Sequence, residues 1–343
     1  MDVAVIGATG AVGREMTRIL EERSFPVDRF VPLASARSAG RHVPFRGEAH
    51  EVHELSVGAL EGVDVAFVSA GAATSKAFLP DVVATHGTTC IDNSSAFRMD
   101  DGVPLAIPEV NPEALEGWPG SGVIAVPNCT TVAAMLALGP LHRAARMTSL
   151  VMSSYQSVSG AGWKGTRELT EQVEKLSGDI ESLAHPDLAA MPTPVVFAKP
   201  IAFNVVPKIG EFGEDGYTGE EAKLMAEPRK ILSAPDLHVV ATSVRVPVVS
   251  GHAVSLVARF ARPIDPAEAR ELLADAPGVR LMDDPANDIF PTPLESAGGD
   301  EALVGRIRQV PDRPDELALF SCTDNLRMGA ALDAIHIAEH LDR

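Results

Sequence analysis

The sequence predicts an α/β fold in two parts: an N-terminal doubly wound domain of the Rossmann type, followed by an α+β domain. Short apolar runs alternate with helical patterns through the first third of the chain, which is typical of βαβ units and a parallel sheet. After Asn128 the apolar runs become longer, with helical patterns between them. A chain of 343 residues has the length of about two ordinary domains.

The first part contains a regular series of predicted strands. Residues 3–6 form a buried apolar run, and Val12, Met16, Ile19 and Leu20 then recur at helical spacing. Further strands are predicted at residues 30–33, 63–69, 89–92 and 122–126. This alternation predicts a doubly wound, nucleotide-binding kind of sheet.

The second part is expected to hold a sheet with one covered face. Strands are predicted at residues 150–158, 195–206, 237–249 and 253–260, and helices at 164–176 and 220–232. Pro228 falls inside the second helix, which is expected to kink or start again there. Residues 285–299 are expected to form surface loops, and residues 325–341 a terminal helix that packs back on the first domain.

Composition excludes several classes of partner. The net charge of −18 disfavours nucleic acid and anionic membranes, and no apolar stretch reaches the ~18–20 residues of a membrane span. The N-terminus runs straight into a strand, without the pattern of a signal peptide. Three cysteines make a disulfide framework improbable, which favours a cytoplasmic protein. No metal site is predicted.

A glycine-rich turn follows the first strand and opens the first helix. Gly7, Gly10 and Gly13 have the spacing GxxGxxG, a variant of the dinucleotide fingerprint. Small residues there let backbone N–H groups approach a pyrophosphate at the positive end of the helix. A simple turn is the alternative, but the position between strand and helix favours nucleotide binding. The predicted ligands are Gly7, Thr9, Gly10, Ala11, Val12 and Gly13.

The end of the second strand indicates which nucleotide is bound. An NAD site usually has an acidic residue there for the ribose 2′-hydroxyl, whereas residues 34–41 contain none. Ser35, Arg37 and Ser38 suit a 2′-phosphate instead. The sequence therefore favours NADP, with a solvated polar loop as the alternative.

Cys129 is the candidate nucleophile. It precedes a strongly helix-forming run at residues 132–138, so it is expected at a helix N-terminus, where the dipole favours a thiolate. A buried cysteine without chemistry is the alternative reading, and it fits Cys90 and Cys322, which lie in strand-like runs.

Five motifs in order resemble aspartate-semialdehyde dehydrogenases, and the resemblance covers the whole chain. They are the turn at residues 7–13, Asn-Ser-Ser-Ala-Phe-Arg at 93–98, Asn-Cys-Thr at 128–130, Gln-Ser-Val-Ser-Gly-Ala-Gly at 156–162, and Arg-Val-Pro-Val at 245–248 with Gly251-His252. Asp-Asn-Leu-Arg at 324–327 closes the series.

The resemblance implies the catalytic roles. Cys129 would attack an acyl phosphate and form a thioester, which can accept a hydride at its carbonyl carbon. His252 would act as the acid–base residue, with an ordinary pKa of roughly 6.5; without the resemblance, a histidine after a strand is more often structural. Gln156 would orient the acyl group beside the thiol.

The binding roles are implied in the same way. Arg98 and Lys223 would bind the phosphate, with an amide hydrogen bond from Asn128, and Arg245 would pair with the substrate α-carboxylate. Glu220 would receive the α-ammonium group, although Glu221 remains an alternative. Without the resemblance, Glu220 and Lys223 would read as a surface salt bridge. Ser159, Gly160 and Asn325 would contact the cofactor.

The implied function is NADPH-dependent reduction of L-aspartyl-4-phosphate to L-aspartate 4-semialdehyde by a homodimer, in lysine, threonine and methionine biosynthesis. Residues 1–127 would form the NADP-binding domain, with 325–343 packed on it, and 128–324 the catalytic and dimerisation domain. The alternatives are an N-acetyl-γ-glutamyl-phosphate reductase, which usually surrounds its cysteine with Gly-Cys-Tyr-Pro, a glyceraldehyde-phosphate dehydrogenase and a non-catalytic NADP-binding paralogue. Some use of NAD is left open.

Overall fold

The computed structural model describes residues 1–341, which form two six-stranded sheets, a small hairpin and eight α-helices. The strands are β1 Asp2–Ile6, β2 Arg29–Ala34, β3 His42–Phe45, β4 Glu48–Glu51, β5 His53–Glu54, β6 Val65–Val68, β7 Thr89–Asp92, β8 Gly122–Ala125, β9 Met147–Gln156, β10 His238–Arg245, β11 His252–Phe260, β12 Val279–Leu281, β13 Ala302–Val310 and β14 Arg313–Thr323. The helices are α1 Ala11–Glu22, α2 Ala72–His86, α3 Cys129–Ala145, α4 Trp163–Leu176, α5 Gly219–Ile231, α6 Pro266–Ala274, α7 Pro293–Ser296 and α8 Leu332–Leu341.

The first sheet is entirely parallel and has the order β5-β2-β1-β6-β7-β8. Side chains of β1 alternate between two cores. Val3 and Val5 pack on the face covered by α1 and α8, whereas Ala4 and Ile6 pack with Leu79 of α2 on the other. Both faces are therefore covered by helices, as the near-continuous apolar strands predict. The doubly wound fold expected of the first part is confirmed.

The second sheet is mixed and has the order β10-β9-β11-β14-β13-β12. One face packs against α3, α5 and α6. Along β9, Leu150 and Met152 are buried on that side, whereas Val151 and Tyr155 point away from it and are exposed. The expected α+β arrangement with one covered face is confirmed. Three strands of this sheet, β12 and the hairpin strands β13 and β14, were not predicted.

Three sequence predictions for the second part are corrected or refined by the structure. Residues 195–206 form turns and bends rather than a strand, and only Val206 bridges to Arg245. Pro194 precedes that apolar run and Pro200 interrupts it, and a proline cannot donate to a strand ladder. Helix α5 continues through Pro228 to Ile231, so of the two outcomes expected at this proline the helix does not start again. Residues 285–299 include a short helical turn and α7 as well as loops.

The C-terminal segment returns to the first sheet, as predicted. A π-helical turn at Arg327–Ala331 leads into α8, and both contact α1. Arg327 forms ion pairs with Glu15 at 3.0 Å and Glu22 at 2.7 Å, both on α1. Residues 342–343, the end of the segment expected to pack there, lie outside the described residues. Within residues 1–341 there is no helix long and apolar enough to cross a bilayer.

Candidate active site

The turn between β1 and α1 can be built only with glycine at two positions. Gly7 has a φ of +87°, and a Cβ on it would lie 2.3 Å from the Ser69 carbonyl oxygen. A Cβ on Gly13 would lie 2.2 Å from the Gly7 carbonyl oxygen. Helix α1 begins without a side-chain cap and without an acidic residue in its first turn. Its free N–H groups thus form a cradle that fits a phosphate group.

The segment after β2 carries the three residues predicted to select the nucleotide. Ser35 and Arg37 are exposed, and Ser38 is buried. The Arg37 side chain makes no ion pair or hydrogen bond within residues 1–341, so its guanidinium is free to bind an anionic ligand.

A cleft of about 260 Å³ lies between the start of α1, just after the glycine-rich turn, and the second part of the chain. Its lining includes Val12 from α1, Asn93 and Arg98 after β7, Cys129 at the start of α3, and Asn325 before the terminal segment. Larger cavities lie on other surfaces, and one of about 440 Å³ also touches Arg245. The 260 Å³ cleft brings Val12, from the turn at residues 7–13, together with the candidate nucleophile, although more than a hundred residues separate them in the sequence.

Cys129 occupies the first position of α3, as predicted. Asn128 caps the helix, because its side-chain oxygen accepts a hydrogen bond from the Thr130 N–H at 2.9 Å. Other surroundings of the thiol oppose the thiolate-favouring effect of the helix N-terminus, however. Burial, followed by the charge of Glu220, raises the pKa of the Cys129 thiol to about 11, which outweighs the opposing effect of nearby cations. The ligand-free protein therefore holds a protonated thiol at neutral pH.

Helix α5 supplies the acidic group of the site. The Glu220 carboxylate accepts hydrogen bonds from the Asn128 amide at 2.9 Å, the Gln156 amide at 3.1 Å and the Lys223 ammonium at 2.9 Å. Burial alone would raise the pKa of Glu220, but the charge of Lys223 and these hydrogen bonds bring it below its ordinary value. Glu220 is thus a buried carboxylate that faces the cysteine helix.

Glu221, the alternative to Glu220 as the ligand of the α-ammonium group, makes different contacts. Its carboxylate accepts hydrogen bonds from the N–H and hydroxyl of Thr218, at 2.7 and 2.9 Å, and from the Ser243 N–H at 2.9 Å. Together with the Thr218 cap this is a capping box, which stabilises the start of α5. Glu220 rather than Glu221 therefore contacts the candidate site residues.

Gln156 and Arg245 are brought together by the strand register. They are directly paired at the ends of the parallel strands β9 and β10. Arg245 is buried and donates to the Ser157 carbonyl oxygen at 2.6 Å, and its guanidinium lies 5.8 Å from the centre of the Phe197 ring. A guanidinium held in this way still has free N–H donors for a carboxylate.

His252 is fully buried at the start of β11. Its Nδ1 accepts a hydrogen bond from the Ser157 N–H at 3.1 Å, whereas Nε2 has no partner within the described chain. Since a backbone N–H can only donate, the neutral imidazole carries its proton on Nε2. Burial, followed by the charge of Arg245, lowers the pKa of His252 to about 3, below the ordinary value expected from the sequence.

Gly160 and Asn325 lie where the two parts of the site meet. A Cβ on Gly160 would lie 2.9 Å from Nη1 of Arg245 and 3.1 Å from Nε2 of His252. The Asn325 side-chain oxygen accepts from the hydroxyls of Ser157 and Ser159 and from the Gly251 N–H, at 3.0 to 3.1 Å. These bonds fix the amide orientation and leave Nδ2 buried without a partner within residues 1–341. An orphaned donor in this cleft fits the carboxamide of a nicotinamide nucleotide.

Arg98 is held by three internal acceptors and keeps two donors. Its Nε donates to the Val126 carbonyl oxygen, Nη1 to the Glu227 carboxylate and Nη2 to the Asn93 carbonyl oxygen, at 2.8 to 2.9 Å. A guanidinium has five N–H donors, so one remains on each terminal nitrogen. Arg98 also lines the cleft beside Cys129. It can therefore still bind an anion with two N–H groups.

Sequence reasoning missed two residues that organise this site. Ser157 contacts His252, Asn325 and Arg245 through its backbone and hydroxyl. Glu227 is 1% exposed and contacts both Arg98 and the Asn128 N–H. The position of Glu227, seven residues after Glu220 on one helix, was the available signal, because residues at this spacing share a face. Within residues 1–341 there is no group of three or more His, Cys, Asp or Glu side chains that could hold a metal ion.

Comparisons with known proteins agree over the whole length. Residues 2–118 match the semialdehyde dehydrogenase NAD binding domain, and residues 138–328 match the semialdehyde dehydrogenase dimerisation domain. An aspartate-semialdehyde dehydrogenase from Streptomyces akiyoshiensis is 50% identical over 342 residues, covering 99% of this chain and 98% of that protein. One from Aquifex aeolicus is 44% identical, with coverage of 99% and 97%.

A solved structure gives the same result. Aspartate semialdehyde dehydrogenase II from Vibrio cholerae, complexed with ASA, superposes with a TM-score of 0.91 at 38% identity, over 100% of this chain and 98% of that one. The fold, the two matched domains and the full-length relatives therefore lead to one assignment. The chain belongs to the aspartate-semialdehyde dehydrogenase family of oxidoreductases.

Proposed function

We propose that the chain reduces L-aspartyl-4-phosphate to L-aspartate 4-semialdehyde with NADPH, through a thioester on Cys129, and catalyses the reverse reaction when phosphate is supplied. The observation that carries this proposal is the position of Cys129. It lies in one cleft with the glycine turn and Arg98, and its helix start is hydrogen bonded to Glu220. A nucleotide bound on the turn at residues 7–13 would extend toward the thiol from one side, and a charged acyl phosphate would approach it from the other.

The polar groups of the site match the charges of the substrate. Arg98 and Lys223 are cations suited to the phosphate, and the Asn128 amide lies beside them. Buried Arg245 suits the α-carboxylate, and the buried Glu220 carboxylate suits the α-ammonium group. Because these two charges are opposite and fixed, an amino acid with both groups free binds better than an N-acylated one. This favours aspartyl phosphate over N-acetyl-glutamyl phosphate.

The residues also suit the chemistry of acyl transfer. Cys129 Sγ attacks the acyl carbon, the C–O bond to phosphate breaks, and the thiol proton leaves with the phosphate. The Nε2–H of His252 donates a hydrogen bond to the acyl oxygen as negative charge develops on it, while Gln156 orients the acyl group. A bound nicotinamide nucleotide supplies the hydride that reduces the acyl group. Breaking the C–S bond then releases the aldehyde, and the Cys129 thiolate takes a proton from solvent.

We infer that NADP is preferred over NAD, because Arg37 is exposed, free of internal partners and close in sequence to Ser35 and Ser38. Arg37→Ala is expected to raise the Kd of NADPH roughly tenfold or more, since a hydrogen bond to a charged group contributes about 1.5–3 kcal/mol. The Kd of NADH, which lacks the 2′-phosphate, should stay within about twofold. Fluorescence titration measures both constants, and an equal loss for both nucleotides would contradict this role.

We infer that the protein works as a homodimer in the cytoplasm. The open face of the second sheet exposes Val151 by 47% and Tyr155 by 39%, which is apolar surface suited to a second copy. Three free cysteines suit a reducing compartment. Within each copy, residues 1–127 and 325–341 would hold the nucleotide, and residues 128–324 would hold the substrate and the interface.

Formation of NADPH from L-aspartate semialdehyde, NADP and inorganic phosphate tests the proposed reaction. Turnover is expected only when all three are present, and absorbance follows it directly. Turnover with N-acetyl-glutamate semialdehyde but not with aspartate semialdehyde would move the chain's substrate to the N-acetylated class. Nucleotide binding without turnover of either aldehyde would identify a non-catalytic protein.

A further inference from the structure

Glu227 is a buried acid that the reaction outlined above does not use. It lies on α5, two turns after Glu220, and is 1% exposed. Both carboxylate oxygens have partners in the site: Oε1 accepts from Nη1 of Arg98 at 2.9 Å, and Oε2 accepts from the N–H of Asn128 at 2.8 Å. One carboxylate therefore joins the candidate phosphate ligand to the residue before Cys129.

The buried Glu227 carboxylate depends on both of these donors, because a buried carboxylate is stable only when its lone pairs accept hydrogen bonds. Arg98 is fixed by acceptors from three segments of the chain, and Glu227 is the charged one among them. Without the hydrogen bond to Glu227, the terminal nitrogens of Arg98 would be able to rotate away from the cleft. The Asn128 N–H would lose its acceptor as well, although the capping bond to Thr130 would remain.

We propose that Glu227 is a positioning residue for phosphate. It holds Arg98 so that the two remaining N–H donors face the phosphate, and it ties that arginine to the backbone that carries Cys129. The phosphate and the attacking sulfur are thereby kept in a fixed relation, which matters because small displacements of reacting groups are costly. This proposal rests on the roles proposed above for Arg98 and Cys129.

Glu227→Gln tests the proposal with little change of shape. Arg98 and Asn128 donate to different oxygens of Glu227, so the NH₂ group of a glutamine would replace one acceptor and face a donor. The KM for phosphate in the aldehyde-oxidising direction is expected to rise roughly tenfold, with the KM for aspartate semialdehyde within about twofold. The matched control is Glu221→Gln, a buried glutamate on the same helix that accepts from Thr218 and Ser243 and contacts neither Arg98 nor Asn128. It should lower the Tm and leave the KM for phosphate unchanged.

A double-mutant cycle with Arg98→Ala shows whether Glu227 acts through the arginine. In that background Glu227→Gln should change the KM for phosphate by less than about twofold. An equal rise with or without Arg98, or a rise shared with Glu221→Gln, overturns the proposal. If Arg98→Ala proves unstable, Arg98→Lys gives the same cycle, because it keeps the charge but loses the fork of donors.

The measurements distinguish an error in the role proposed for Arg98 from an error in the role proposed for Glu227. If neither Arg98 variant raises the KM for phosphate, the proposed role of Arg98 is wrong. If Arg98 variants raise it and Glu227→Gln does not, only the role of Glu227 is wrong. Binding of phosphate to the NADP complex, measured as a shift of Tm, checks the same ranking of variants without catalysis.

Discussion

Replacing Cys129 with serine is expected to reduce phosphate-dependent oxidation of aspartate semialdehyde by roughly a thousandfold or more. A serine hydroxyl has nearly the size of the thiol and keeps the first position of α3. It is a much weaker nucleophile, and an oxygen ester accepts hydride less readily than a thioester. Steady-state absorbance of NADPH measures the loss.

The matched control for this variant is Cys90→Ala. Cys90 is a buried thiol on β7, away from the cleft that contains Cys129, so its replacement should leave turnover within about twofold of the starting protein. NADPH should bind both variants with the affinity of the parent. More than a tenth of the parent activity in Cys129→Ser would exclude the proposed covalent route.

Replacing Arg245 with lysine is expected to raise the KM for aspartate semialdehyde by roughly ten- to a hundredfold. A lysine keeps the charge but not the planar pair of donors that suits a carboxylate. It is also too compact to keep both the hydrogen bond to the Ser157 carbonyl and the contact with Phe197. The lost charged hydrogen bonds contribute about 1.5–3 kcal/mol, and each 1.4 kcal/mol is about tenfold in affinity.

The control for Arg245→Lys is Arg259→Lys, on a surface ion pair with Glu316. An exposed pair contributes about 0–1 kcal/mol, so that variant should keep its kinetic constants. A selective rise in the KM for phosphate in Arg245→Lys, with that for the aldehyde unchanged, would reverse the roles proposed for Arg245 and Arg98.

Much of the first part of the fold could be predicted from local signals. The strand at residues 3–6, the glycine turn and the amphipathic helix α1 are each encoded within about a dozen residues. The position of Cys129 at the start of α3 was also predictable, because Asn128 is a strong capping residue followed by a helix-forming run. In each case the deciding interactions lie close together in the sequence.

Other features depend on contacts between distant segments. Residues 195–206 have the apolar content of a strand, but Pro200 within them cannot donate to a strand ladder and they are irregular. Glu227 meets Arg98 across 129 positions, and nothing in its own surroundings in the sequence identifies that partner. The pKa values of Cys129 and His252 depend on burial by the whole fold, so sequence supplied only their ordinary values.

The central claim is that the acyl group passes through a thioester on Cys129. Incubation with aspartate semialdehyde and NADP, without phosphate, should leave the reaction at that stage. Mass spectrometry of the digested protein is expected to find one aspartyl group on the peptide that contains Cys129, together with about one equivalent of NADPH per site. Addition of phosphate should remove the group. Full phosphate-dependent turnover with no acylated Cys129 at any time would contradict the claim.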